Sequence, residues 1–286
     1  MHSALAGVAL GLFSALTLAF ANLAVKMGSD ILVSRSILSM SAAALLLPFA
    51  FIVPVPDAAT FHVLAFAIPA HFLYQSFLIQ ALGRGDLSLV FPVMRGGSPL
   101  ITAIVAGLAL GEALTATEWA GLGIATIAVV VFALPPRGRG LRTHPDKAAL
   151  GWALATAGGI ALYNTTDAWG VRTAPTPVTY IVWLFLFDWI CVTATAIILR
   201  RRALVATIRE KWRYGAAAGA LSILSFGAAL YAFSFVETAK VSALRETSVV
   251  WAAIMGALWL REGFGWRRIL AALALAAGLM LLQFGG

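Results

Sequence analysis

Arg95, Arg245 and Glu246 stand in the middle of long apolar runs. At bilayer depth an ionisable side chain is costly unless it is paired or wet, so these three are the first candidates for function. A guanidinium so placed can hold a carboxylate through charge-assisted hydrogen bonds. An ammonium group would turn instead to Glu246 or to an aromatic face. Arg95 belongs to the segment Phe91-Pro92-Val93-Met94-Arg95-Gly96-Gly97-Ser98-Pro99. Pro99 offers no amide to the carbonyl of Arg95, nor Pro92 to that of Ser88, while Gly96 and Gly97 allow another backbone or a ligand to come close. The expectation is an interrupted helix lining a wet cavity; the plainer alternative is an Arg95 to Glu246 salt bridge that only holds two helices in register. Around Arg245, Glu246, Thr247 and Ser248 no proline interrupts the helix. Neighbouring residues on a helix point about 100° apart, so at least one of the two charges should face the interior.

Further polar groups are placed by helical spacing. His71, Tyr74 and Leu78 fall at i, i+3 and i+7 with Gln75 flanking, which sets an imidazole and a phenol on one face. Tyr163 and Asn164 form a second group with Trp183, Asp188 and Trp189. Each could touch a solute or simply hydrogen-bond a neighbouring helix. The candidate substrate-binding set is therefore His71, Tyr74, Arg95, Tyr163, Asn164, Trp183, Asp188, Arg245 and Glu246. Pro92, Gly96, Gly97 and Pro99 are candidates for a gate or structural role, as are Glu112 and Glu262 at the ends of two apolar runs. Arg35, about one turn into its helix, reads as snorkelling to the headgroups, and Asp167 as interfacial. A proton-coupled device would draw on Glu246, Asp188 or His71.

These groups need a frame, and the composition says which. Of 286 residues, 61% are hydrophobic and 11% charged, with mean hydropathy +0.93, against roughly one-quarter charged in a soluble domain. Apolar runs cover residues 4–25, 31–53, 61–82, 87–111, 115–134, 148–169, 177–199, 214–236, 241–260 and 266–284. They are too long and too continuous for the alternating strands of a membrane β-barrel. The first is read as a retained helix, since no positively charged leader precedes it. A linker rich in Pro, Gly and cations divides the chain into residues 1–136, a basic segment 137–147 and residues 148–286. At an offset of 150 residues Arg95 falls on Arg245, Ser88 on Thr238, Ser98 on Ser248 and Glu112 on Glu262. Two tandem five-helix units must sit in opposite orientations, so the expected fold is an all-α integral membrane protein, ten transmembrane helices arranged as two inverted five-helix repeats. With both termini outside the cytoplasm, 15 of the 20 Lys and Arg residues fall in cytoplasmic loops and only Arg172 and Lys240 in the opposite ones. Loop cations resist translocation, so both termini are expected to be periplasmic.

Other classes are disfavoured. No G-x-x-x-x-G-K-[ST], H-E-x-x-H or G-x-S-x-G occurs, and Cys191 is the single cysteine, so neither ATP drive, enzymatic activity, a metal nor another cofactor is expected. The net charge of +8 belongs to the loops rather than to a nucleic-acid surface. The expected partners are a small solute and the lipid bilayer, with the chain acting as a monomer.

Ala21-Asn22-Leu23-Ala24-Val25-Lys26, Ser34-Arg35 and Leu110-Gly111-Glu112, placed on a duplicated ten-helix plan, resemble the drug/metabolite transporter superfamily in its EamA-like form. The likeness covers essentially the whole chain. The second half departs from the first in having Arg261 at the place of Gly111 and Val249 at that of Pro99, so the two gates could differ. The 91–99 segment and the interior aromatics are similar to the YddG-type branch of aromatic amino-acid exporters. That resemblance implies a bacterial inner-membrane exporter of aromatic or other neutral amino acids and related metabolites, working by alternating access around helices three, four and six to nine. A multidrug or quaternary-cation exporter of the same superfamily is the alternative.

Overall fold

The structure, a computed structural model, describes residues 2–26, 30–84, 87–133, 147–251, 254 and 266–285. Among them the regular elements are all helical: α1 (His2–Lys26), α2 (Ile31–Leu46) with a 3₁₀ turn (Leu47–Phe51), α3 (Ala58–Arg84), α4 (Leu87–Leu110), α5 (Ala116–Ala133), α6 (Lys147–Thr173), α7 (Pro177–Phe233), α8 (Thr238–Arg245) and α9 (Trp266–Phe284). Most of the 137–147 linker and Glu262 with Arg261 lie outside the described residues.

Among the described residues six helical stretches are long and apolar enough to cross a membrane: Ile31–Phe51, Ala58–Arg84, Val93–Leu110, Pro177–Glu210, Trp212–Phe233 and Trp266–Phe284. Large apolar side chains such as Phe66, Leu108, Ile127, Ile198 and Leu273 point outward, a distribution suited to lipid and unsuited to water. α6 is long enough but less apolar. Leu154, Leu162 and Trp169 face outward, while Thr156, Asn164, Thr165 and Asp167 are buried against other helices, where polar groups can hydrogen-bond their neighbours.

The ends of the spans are set by capping. Asp30 accepts from the amides of Leu32 and Val33 at the start of α2, and Asp57 from the amide and hydroxyl of Thr60 at the start of α3, each satisfying amides that have no partner within the helix. These bonds from Thr60 hold the Asp57 carboxyl below the usual aspartate range.

Three sequence expectations are corrected. The basic stretch from Arg200 to Arg213, expected as a loop, is helical, because Arg, Lys, Ala, Leu and Glu all favour helix. α7 nevertheless folds back on itself: Asp188 and Phe226 both approach His71, although in a straight helix they would stand roughly 57 Å apart. It is a hairpin of two spans with a helical bend. The second correction concerns Phe91–Pro99. α4 runs unbroken through Pro92, Gly96, Gly97 and Pro99, and the Ser98 hydroxyl donates to the carbonyl of Arg95 (3.4 Å), which Pro99 leaves without an amide. The glycines serve packing: a Cβ on Gly96 would collide with Val130 of α5, and one on Gly97 would touch Ala157 of α6. Third, the interruption falls in the other half. α8 ends at Arg245, and the amides of Glu246, Thr247, Val249 and Val250 each bond three residues back, a tightened 3₁₀ stretch of the kind found at functional hinges.

Two apolar clusters flank the centre. One joins α2, α3, α6 and α7 around Leu64, Tyr180, Leu184, Leu230 and Phe233; the other joins α4, α5, α8 and α9 around Leu122, Val129, Leu244 and Leu282. α5 and α9 cross at glycines. A Cβ on Gly121 would lie 2.6 Å from the Leu282 amide nitrogen and 2.7 Å from the Gly278 carbonyl. Neither backbone can yield without parting the helices, so Gly121→Val should cost about 1–3 kcal/mol as an overpacking change, read as a lowered midpoint of thermal unfolding in detergent.

Candidate functional site

Between the clusters is a cavity of about 120 Å³ walled by α1, α2, α3, α4, α6, both legs of α7 and α8. α1 and α2 belong to its wall, beyond the helices expected. Of the sequence candidates, His71, Tyr74, Arg95, Tyr163, Asp188 and Arg245 line it. Arg35, Ser39, Gln75, Ser222, Ser225 and Phe226 join them.

The aromatic wall is continuous. The His71 ring lies 4.7 Å from that of Tyr163 and meets Phe226 edge-on at 5.4 Å, while Tyr74 and Tyr163 are 5.0 Å apart. Arg245 sits over Phe226 with its guanidinium carbon 5.2 Å from the ring centre; its Nε makes no hydrogen bond among the described residues. Arg35 is held 5.9 Å over Tyr74. It does not snorkel: α2 packs inside, bonded to α7 through Ser36 and Thr193 (2.9 Å), and that contact turns Arg35 toward the cavity.

Behind the wall run two polar chains. His71 Nε2 is 2.9 Å from Asp167 Oδ2, whose Oδ1 accepts from the Tyr180 hydroxyl at 2.9 Å. His71 Nδ1 faces Asp188 Oδ1 at 3.7 Å, and Asp188 Oδ2 accepts from Ser39 (3.5 Å). Asp167, expected at the interface, is fully buried. In the second chain Arg95 Nη1 stands 3.6 Å from Glu246 Oε1, which accepts from Ser98 at 3.2 Å. The tightened stretch after α8 thus turns Arg245 to the cavity and Glu246 to α4, away from it.

Two candidates stand elsewhere. Asn164 bonds Ser242 (3.2 Å), tying α6 to α8, and Trp183 packs between Phe61 and Phe187. Neither is part of the cavity wall. At one end of the molecule Gly111, at φ 70°, adopts the left-handed turn that ends α4. The next residue, Glu112, accepts from the amide (2.8 Å) and hydroxyl (2.7 Å) of Thr238, at the start of α8, and from Arg172 (2.7 Å). Arg172 also donates to the carbonyls of Phe233 and Val236. Nearby Lys240 pairs with Glu118 (2.6 Å) and Glu237 (3.3 Å).

Sequence reasoning missed Asp167, Phe226 and the orientation of Arg35. The i, i+4 spacing of Tyr163 and Asp167 on α6 was a usable signal. Phe226 had none, being one aromatic in an apolar run.

Residues 147–284, which supply α6 to α9, match the EamA-like transporter family. The match covers a little under half of the chain. Together with several apolar helices it supports a multi-pass membrane protein and points to a transporter of the drug/metabolite type rather than an enzyme. A solved structure described as "Crystal structure of protein" shares the fold at TM-score 0.82 and 16% identity, covering 100% of this chain and 99% of that one. No curated protein sequence matches.

Proposed function

We propose that this EamA-like chain exports amino acids, aromatic or other neutral ones favoured, and related small metabolites across the bacterial inner membrane. It does so as a secondary transporter, alternating access by moving two inverted five-helix repeats, residues 1–136 and 148–286, about the central cavity. One observation carries the reading: a single cavity wall presents the guanidinium groups of Arg35, Arg95 and Arg245, the carboxylate of Asp188 and the rings of His71, Tyr74, Tyr163 and Phe226. A solute carboxylate pairs with guanidinium through charge-assisted hydrogen bonds. Its ammonium pairs with Asp188, because Glu246 is engaged by Arg95 and Ser98. An aromatic or aliphatic side chain then packs on the rings.

Charge speaks against the multidrug or quaternary-cation reading: a permanent cation without a carboxylate would meet the three guanidinium groups of Arg35, Arg95 and Arg245 in the cavity. The mirrored plan is supported by Arg95 and Arg245, which correspond at the 150-residue offset and share the cavity. Periplasmic termini are supported by the cation count, since only Arg172 and Lys240 fall in the loops assigned to that side. One chain encloses the whole cavity, so a monomer suffices.

The test is counterflow in proteoliposomes with a panel of neutral and aromatic amino acids, organic cations and sugar phosphates. Amino acids should exchange, and Arg245→Ala should slow them at least tenfold, the equivalent of about 1.4 kcal/mol of lost pairing. Exchange confined to organic cations would overturn the proposal.

A further inference from the structure

One imidazole between two aspartates is more than the holding of a solute requires. His71 is buried in the interior, with Asp167 on its Nε2 side at 2.9 Å and Asp188 on its Nδ1 side at 3.7 Å. The two sides differ in kind. Asp167 is completely enclosed, its second oxygen taken by Tyr180, and it does not reach the cavity. Asp188 lines the cavity, and its Oδ1, the oxygen facing Nδ1, has no hydrogen bond among the described residues. An ionised Asp167 can only accept, so Nε2 is the protonated nitrogen and Nδ1 is left as the exchangeable position. The other charged or titratable groups around the ring are Tyr74 on α3, Arg35 on α2, Arg95 on α4, Tyr163 on α6 and Arg245 on α8. Arg245 reaches it across Phe226, which touches both.

We propose that His71, clamped by Asp167 and Asp188, is a proton-binding site, and that its proton exchanges with the ammonium group of the transported solute. A proton arriving from the cavity binds Nδ1, converting imidazole to imidazolium; no bond other than N–H forms or breaks. The cluster of His71, Asp167 and Asp188 then goes from two negative charges to one. A solute ammonium needs the same Asp188, and two cations cannot share that carboxylate at contact distance without strong repulsion. Proton and solute therefore exclude each other, and a cycle that returns with the proton after releasing the solute is antiport. Asp167 is a positioning residue: it fixes the tautomer and supplies the anion behind the ring without touching the solute. This mechanism rests on the amino-acid reading above, while the proton site itself does not.

Two measurements separate them. The first uses no solute: ¹⁵N-histidine NMR of the full chain in liposomes, with the His71 signals assigned by their loss in His71→Gln. The ring should pass between one and two protonated nitrogens as pH is varied from 5 to 9, with a midpoint that Asp167→Asn, an isosteric change, shifts by at least one pH unit. A His71 ring whose protonation stays constant over that range, or is unmoved by Asp167→Asn, overturns the proton site whatever the protein carries. The second follows phenylalanine in proteoliposomes loaded with a pH dye. Wild type should move protons with the solute, and an inward-acid gradient should raise the steady-state phenylalanine ratio at least tenfold. Asp167→Asn should keep counterflow within about twofold but lose the gradient response. If Asp167→Asn remains gradient-driven, the exchange is wrong. If no member of the panel moves in wild type while the NMR titration behaves as described, the amino-acid reading has failed and the proton site stands.

Discussion

Arg95→Met is expected to lower stability by about 3–5 kcal/mol, the penalty for removing one partner of a buried ion pair. The two side chains are 13% and 4% exposed, so water does little to screen the charge left behind. Glu246 would retain the Ser98 hydroxyl, but its other oxygen already lacks a hydrogen bond among the described residues. Adding Glu246→Leu should restore most of the loss, because an apolar pair of similar volume in a buried site is commonly neutral or stabilising. Transport should not return with stability, since Arg95 also walls the cavity. A bridge that only kept α4 and α8 in register would behave otherwise: once the double variant is stable, it would exchange solute at the wild-type rate. Thermal unfolding in detergent and counterflow, measured on wild type and both variants, distinguish these outcomes.

What the sequence could and could not disclose divides along the range of the interaction. Hydropathy is a local property, and the runs at 61–82, 87–111 and 266–284 correspond to α3, α4 and α9 within a few residues. The special character of Arg95 and Arg245 was also legible, because charge inside an apolar run needs no partner to be noticed. Their partners were not, since His71 meets Asp167 across 96 residues of chain, and no periodicity encodes that contact. The proline rule misled for a related reason. It counts the amide that Pro99 lacks but not the Ser98 hydroxyl that reaches the freed carbonyl, nor the helices packed about α4. The break after Arg245 has the opposite origin. The Thr247 hydroxyl bonds the carbonyl of Leu244 at 2.7 Å, and such local competition with the backbone ladder is a known way to tighten or bend a helix. Arg35 shows the limit of depth arguments. Its height in the bilayer allowed snorkelling, but the rotation of α2 decides where it points, and the small polar residues Ser36 and Ser39, which bond α7, mark the inward face.

Breaking the contact at Glu112 should open the end of the molecule that carries it. The carboxylate binds α8 through the Thr238 amide and hydroxyl, and α6 through Arg172. It therefore ties the end of α4 to both α6 and the start of α8. Hydrogen bonds to a charged group contribute about 1.5–3 kcal/mol each. Arg172 is about one-third exposed, so its share is discounted for screening, leaving a total on the order of 3 kcal/mol for the contact as a whole. Glu112→Ala should then shift the balance of closed and open states at this end by roughly 100-fold. With Cys191 replaced by serine and Ser222→Cys placed on the cavity wall, a membrane-impermeant maleimide added from the Glu112 side should label faster by a factor approaching that shift. Glu112→Gln should fall between, since an amide oxygen still accepts from Thr238 but no longer pairs with Arg172. At the 150-residue offset Glu262 corresponds in sequence to Glu112 and Ser88 to Thr238, and on the proposed inverted plan the second glutamate belongs to the opposite end. Glu262→Ala should accordingly slow labelling from the Glu112 side and speed it from the opposite one. Two variants that opened the same side would mean that the two glutamates are not counterparts, and alternating access by mirrored halves would have no basis in this contact.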